Sequence, residues 1–542
     1  MAFGILEYRG SLEHVPGTAQ LEDVTPENTA HLKKGSGRNA DIVLIPQPSN
    51  DPNDPLNWPL WQRDLILVLY LFCCLMCVGG VGPLLAVITF PILQEFHLTF
   101  TQVSLLTGYQ LCTVGAISVF ISALCCKYGK RLPFLVSMAF LLAGTIWCAC
   151  STSYQTLLGG RIFQGIGSTF FEGVAFSVIG DMYFVHQRGS RMAIFIMAQS
   201  GLLLLPSLIA GQIATDLSWR WVFWFLAIFL GVGFIGAIIF GWETAFNRNA
   251  VYNIDSSSQD NIQIIEDLKS GATHQEDKIV LDRSVTMSSS ASKPRDSFVT
   301  RMRPCSTTYT DDSLIKLVIR PFFTLLNPAI SWAVILIAFS QLWNVLINLL
   351  VAQLFAVPPY NLNTAQIGYL FVGPMVGGLL GCLLCGMISD PLAKAISRRN
   401  NGVYEPEFRL ILMILVPIFC SIGYFLFGNL VSQGKSPVVM SVIWGIAFVS
   451  VQLVMSSIGS YLVDAFRSVS IEVFVASMAM KNFLFFGFSF FMNNWLAEWG
   501  PARTFNLIGG VMIGLSATTI PVYVFGKRMR AWWHQHDILS KW

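Results

Sequence analysis

Arg161, Gln164, Ser168 and Glu172 interrupt an otherwise apolar run, LGGRIFQGIGSTFFEGVAF, at offsets that put all four on one stripe of a helix. At about 100° per residue, Arg161 and Glu172 lie within about 20° of the same face and roughly 16 Å apart along the axis. An ionised side chain inside hydrocarbon costs about 2.5 to 3.5 kcal/mol, so such a ladder has to meet a partner or a water-lined cavity. Lys481, with Asn482 beside it, is the other charge deep in an apolar run. Two readings of Glu172 follow. It exchanges a proton against a cationic group of a solute, or it forms a fixed ion pair with another helix, Lys481 being one partner. Arg161 either acts on Glu172 through water or binds an anionic group.

A second polar stripe, Gln341, Asn344 and Asn348, runs at i, i+3 and i+7 beside Trp343. Uncharged amides next to aromatics suit a pocket for a small amphipathic molecule, and also suit hydrogen bonding between helices. Tyr109, Gln110, Gln199, Gln452 and Asn482 are weaker members of the same set. The seven histidines all fall outside the apolar runs, and no P-loop pattern is present. Eleven of the twelve cysteines lie in or at the ends of apolar runs and read as small core residues. Cys382 and Cys385 have CxxC spacing, but in an apolar context that does not point to metal. The chain is therefore expected to bind no metal and no cofactor and not to be an enzyme.

The elements that position these residues are twelve long apolar runs, six on either side of a polar stretch: 63–90, 101–124, 132–151, 157–180, 192–215, 219–241, then 329–356, 366–389, 408–430, 437–465, 470–497 and 504–526. Each is long enough to cross about 30 Å of hydrocarbon. Of the 542 residues, 54% are hydrophobic and only 12% charged, and mean hydropathy is +0.59. No soluble domain buries that much. The net charge of +3 is too small to imply nucleic acid. The expected fold is an all-α membrane protein of twelve transmembrane helices in two six-helix pseudo-repeats: tail 1–62, bundle 63–241, linker 242–328, bundle 329–526, tail 527–542. Within the linker, SSSQD and TMSSSASKP lack the apolar content to fold alone, and phosphorylation there is plausible chemistry. Residues 313–326, SLIKLVIRPFFTLL, read as an amphipathic helix on the inner leaflet. Short loops on one side hold Lys127, Lys130, Arg131, Arg188, Arg191, Lys394, Arg398, Arg399, Arg409 and Arg467, against Arg220, Lys435 and Arg503 on the other, so both termini are expected in the cytosol.

Two six-span halves joined by a linker resemble the layout of the major facilitator superfamily. SALCCKYGKRLPF resembles that family's loop after the second span, with Lys127, Gly129, Lys130 and Arg131 in place but Ser122 for the first Gly and Cys126 for the Asp. GMISDPLAKAISRR keeps Gly386 and Asp390 in the matching loop of the second half. The resemblance implies a cytosolic latch, lacking one charge pair in the first half, with Lys127, Arg131 and Asp390 in it; Asp181 and Asp464, near inner span ends, read as gating residues, with a transport role the alternative for Asp181. Asp181 is expected to pair with Lys127 or Arg131. The fourth span, with GDMYFVHQRGSR after it, DPNDPLNWP, WETAFNR, YEPEFRL, YLVDAFRSVSIE and KNFLFFGF are similar to the fungal drug:proton antiporter-like branch, particularly polyamine and organic-cation permease-like proteins and metabolite exporters. SGLLLLPSLIAGQIA resembles the branch's fifth-span antiporter signature, with Gly201, Pro206 and Gly211 kept and Leu205 replacing a Gly.

What the resemblance implies is a monomeric secondary active transporter of a fungal plasma membrane. Its partners would be a small organic substrate, protons and the lipid bilayer, and its work efflux of a metabolite, toxin or drug. Uptake of polyamines or other organic cations is the alternative.

Overall fold

The computed structural model describes residues 4–6, 15, 18–20, 48–49, 51–246, 295, 297–304, 308–400, 402–466 and 469–536. The Ser-rich stretches of the linker, Cys305 and Arg467 lie outside these residues. Among the described residues, eleven helices are long and apolar enough to cross a membrane, from Leu60–Phe96 to Met492–His536. The helix of the fourth span is split at Val174 into Tyr154–Gly173 and Ala175–Met182. Met492–His536, in turn, joins the end of the eleventh span to the twelfth across Gly500, whose φ of 75° is closed to most side chains. Among the described residues the chain makes twelve helical passes, and the helix of the last extends to His536.

Short connections at one end are set by local chemistry. Thr99 with Gln102, Ser153 with Thr156 and Asn363 with Gln366 form reciprocal caps at the starts of the second, fourth and eighth spans. We call this the far end, and the opposite one the terminal end. The first span is not continuous: a π turn at Leu75–Gly79 precedes an interruption at Gly82 and Pro83, where proline supplies no N–H.

Buried side chains form two cores. One gathers spans of the first half around Phe134, Leu141, Phe170 and Phe223; the other gathers the second half around Trp444, Tyr461 and Phe505 and accepts a few residues of the first half, such as Val87 and Val114. Where the halves meet, small residues bring backbones close: Gly108 faces Ser489, Gly115 faces Asn482, and Gly211 faces Thr364 and Gly368. The second span thus lies along the eleventh, and the far part of the fifth along the start of the eighth.

The expected amphipathic helix is Leu314–Thr324, capped by Ser313; it buries Leu317, Pro321 and Thr324 and leaves Ile315 and Phe322 exposed. Near the N-terminus, Ala19–Gln20 pairs antiparallel with Val403–Tyr404, and the Leu6 N–H donates to the Val524 carbonyl at 3.0 Å.

Candidate functional site

The polar stripe of the fourth span divides in two. Arg161 is fully buried; its Nη1 donates to the Val81 carbonyl at 2.8 Å and to Gln164 Oε1 at 3.0 Å, and its Nη2 to Thr107 Oγ1 at 3.4 Å. Gln164 Nε2 passes the chain on to Thr145 Oγ1 at 2.9 Å. Arg161 and Gln164 therefore tie the interrupted first span, the second and the third to the fourth, all within one half. Ser168 turns back to its own helix, donating to the Gly165 carbonyl.

Glu172 does something different. Lys481 Nζ donates to its Oε2 at 3.0 Å and Asn482 Nδ2 to the same oxygen at 3.2 Å, with the carboxylate side chain 12% and the lysine 9% exposed. The pair joins the first half directly to the second. Lys130–Asp181, Arg191–Asp64 and Arg220–Glu95 stay within the first half, and the Arg409 and Arg530 pairs within the second. Tyr109 crosses the same seam, its ring 5.1 Å from that of Phe486. Gln452 crosses it elsewhere, accepting from Ser200 Oγ at 2.9 Å.

The seventh-span stripe is only loosely held. Asn348 Nδ2 donates to the Asn344 carbonyl of its own helix at 2.8 Å. Its Oδ1 and the Trp343 indole nitrogen have no partner among the described residues. Gln341 and Asn344 are half-buried. These amides are not brought against Glu172 by any hydrogen bond among the described residues.

At the terminal end, Asp181 pairs with Lys130, and Thr244 Oγ1 donates to it at 3.4 Å. The expected partners are engaged otherwise: Lys127 Nζ donates to the Asp312 carbonyl at 3.1 Å, and buried Arg131 donates to the carbonyls of Gly241, Ile238 and Met302. The reason is positional. Gly129, at φ 86°, turns the chain so that the third helix starts at Arg131, with the N–H groups of Lys130 and Arg131 donating to Glu243 at 3.0 and 3.1 Å. A carboxylate at a helix N-terminus is favourable. In the second half Arg409 bridges Asp390 at 2.6 Å and Asp464 at 2.9 Å, and Tyr404 donates to Asp464 at 2.5 Å. Burial, with the Asp464 carboxylate alongside, holds the Tyr404 hydroxyl well above the usual phenol range, so it remains a donor.

Several residues of consequence were not singled out from sequence: Glu243, Tyr404, Glu405, Glu407 and Arg530. Glu405 and Glu407 are buried and share Arg530, at 2.9 and 2.8 Å. The signal was present in WETAFNR and YEPEFRL, where acids sit beside span ends, but nothing in those strings says which cation they meet.

A profile of the Major Facilitator Superfamily matches residues 67–480. An MFS-type transporter of Schizosaccharomyces pombe is 27% identical, the alignment covering 97% of this chain and 94% of that one. Protein HOL1 of Saccharomyces cerevisiae is 24% identical, with 96% of each chain covered. Multidrug transporter AQR1 of Candida glabrata is 25% identical over 62% of this chain and 55% of its own. With two bundles of six helical passes, an ion pair across their seam and a family match over most of its length, the chain belongs to the major facilitator superfamily and is a multi-pass membrane transporter.

Proposed function

We propose that this protein is a proton-coupled secondary transporter that exports a small organic metabolite, toxin or drug. It works as a monomer in a fungal plasma membrane, with the terminal end in the cytosol. The observation that carries the reading is the Glu172–Lys481 pair between halves. Alternating access requires the halves to rock against each other, and rocking at this level separates the two charges. A lone carboxylate in hydrocarbon costs about 2.5 to 3.5 kcal/mol. Glu172 escapes that cost by taking a proton or a cationic group of the solute, and Lys481 by meeting water or an acceptor. Each turn of the cycle thereby moves a proton or its equivalent. Gln341, Asn344 and Tyr109 supply amide and aromatic contacts for the rest of the solute. Arg161 and Gln164 position the fourth span rather than bind, because the hydrogen bonds they make all stay within one half.

Export is supported by the name of the Candida glabrata relative, a multidrug transporter. Cytosolic placement of the terminal end is supported by the basic loops at Lys127, Lys130, Arg131, Lys394, Arg398 and Arg399. Uptake of polyamines or other organic cations is the second reading, favoured by one observation: Glu172 already accepts from an ammonium, that of Lys481.

Flux of radiolabelled spermidine and of rhodamine 6G is measured in sealed vesicles of defined orientation with an imposed pH gradient. The wild type moves one of them in response to the gradient, and Glu172→Gln, inserted normally, loses that response. Unchanged gradient-driven flux in the variant overturns the coupling role. Which probe moves, and in which direction, separates export from uptake.

A further inference from the structure

The last part of the linker is fastened to both halves. Residues 297–304 lie on the first half: the Arg301 guanidinium sits 5.8 Å from the Trp58 ring and 5.3 Å from that of Trp242, and Arg131 Nη2 donates to the Met302 carbonyl at 3.1 Å. Next, the Tyr309 N–H donates to the Lys127 carbonyl at 2.9 Å, and Lys127 Nζ to that of Asp312 at 3.1 Å. From Ser313 the linker helix runs across the second and eleventh spans. There Arg320 Nε meets Glu472 Oε1 at 3.1 Å, in the first turn of the eleventh span. Cys126, where the second span ends, lies in the field of both Glu472 and Arg320.

The first-half fastening is made of three hydrogen bonds to backbone carbonyls and an arginine against two indole rings. The second-half fastening includes a single ion pair whose partners are 41% and 15% exposed, and the helix buries only Leu317, Pro321 and Thr324. Such an attachment is easily released. It also crosses the seam between a helix of each half, the place where parting of the terminal end would begin.

We propose that the linker helix is a releasable strap: docked through Arg320 and Glu472, it holds the terminal ends of the second and eleventh spans together, and undocked it lets that end open. This rests on the alternating-access reading but not on proton coupling. The sequence departure at Cys126 then has a physical counterpart, since the carboxylate of this latch stands on the opposite half, at Glu472, and its cation comes from the linker.

The test is hydrogen exchange followed by mass spectrometry on the full chain in lipid nanodiscs, which needs no substrate. Arg320→Glu and Glu472→Arg should each speed amide exchange by about two- to fivefold across 313–326, 470–480 and the end of the second span at 119–128. The double variant Arg320→Glu/Glu472→Arg should bring all three regions back toward wild type. Unchanged exchange in both single variants, or a double variant no slower than the faster single, overturns the strap. Should charge reversal impair insertion, Arg320→Gln keeps the stem of the side chain and should move exchange in the same direction. None of these outcomes bears on Glu172, which is read by gradient-driven flux.

Discussion

Two buried arginines show how differently the halves handle a charge. Arg161, fully buried in the first half, is surrounded by neutral acceptors: the Val81 carbonyl, Gln164 and Thr107. No carboxylate lies within ion-pair distance of it among the described residues. Arg530 in the second half is also buried, but it lies between Glu405 and Glu407, and Lys527 pairs with Glu405 at 2.7 Å. Among the described residues, two cations and two carboxylates balance in that cluster. It rivets the twelfth span to the start of the ninth, and Thr18 Oγ1 adds the N-terminal stretch by donating to Glu405 at 2.9 Å. Dipoles hold a cation less firmly than opposite charges do. The dipole-held arginine sits at the interruption of the first span, where a half that has to rock gains from a soft joint, whereas the ion-paired one sits where three segments must stay together.

The sharpest way to break this contrast is to remove each guanidinium in turn. Arg530→Met takes from two buried carboxylates the guanidinium they share, and breaking a buried pair in this way costs about 3 to 5 kcal/mol. The expected outcome is a large drop in thermal midpoint, or loss of monodisperse protein on size exclusion. Arg161→Met abandons only neutral acceptors, at about 1 to 3 kcal/mol for groups left unsatisfied, so its midpoint should fall less. A thiol-reactive dye suits the measurement, since Cys73, Cys74, Cys77 and Cys148 are buried and become reactive on unfolding. If Arg161→Met proves the more damaging, the contrast fails. Arg161→Lys sharpens it further. A lysine keeps the charge but cannot reach three separate acceptors with a planar fork, and the midpoint should stay nearer that of Arg161→Met than that of the wild type.

The sequence made this division only half visible. Twelve apolar runs specify twelve passes because hydrocarbon admits little else, and the angular arithmetic of a helix placed Arg161, Gln164 and Glu172 on one stripe. Partners were another matter. Lys481 could be named for Glu172 because few ions lie deep, so the choice was short. Asp181 took Lys130 instead of Lys127 or Arg131, a difference set by the turn at Gly129 that periodicity does not register. Glu405 and Glu407 stand more than a hundred residues from Arg530, and only the packing of the ninth and twelfth spans brings them together.

The smallest expected effect concerns the fifth span, where the resemblance to an antiporter signature is incomplete. Gly211 lies at the far-end contact between halves: a Cβ there would stand 2.8 Å from the Thr364 carbonyl oxygen and 3.1 Å from the Gly368 Cα. Leu205, which replaces a glycine, is 39% exposed. Bulk is thus accommodated at Leu205 and forbidden at Gly211. Gly211→Ala should force the fifth and eighth spans apart at a cost of about 1 to 3 kcal/mol, seen as faster amide exchange across 205–216 and 364–369. Leu205→Ala should alter stability by no more than about 0.5 kcal/mol and leave exchange in both segments as it is. Equal responses from the two variants would mean that close packing at Gly211 does not hold the far end shut, and that the contact between Gly211 and Gly368 is incidental to how the halves meet.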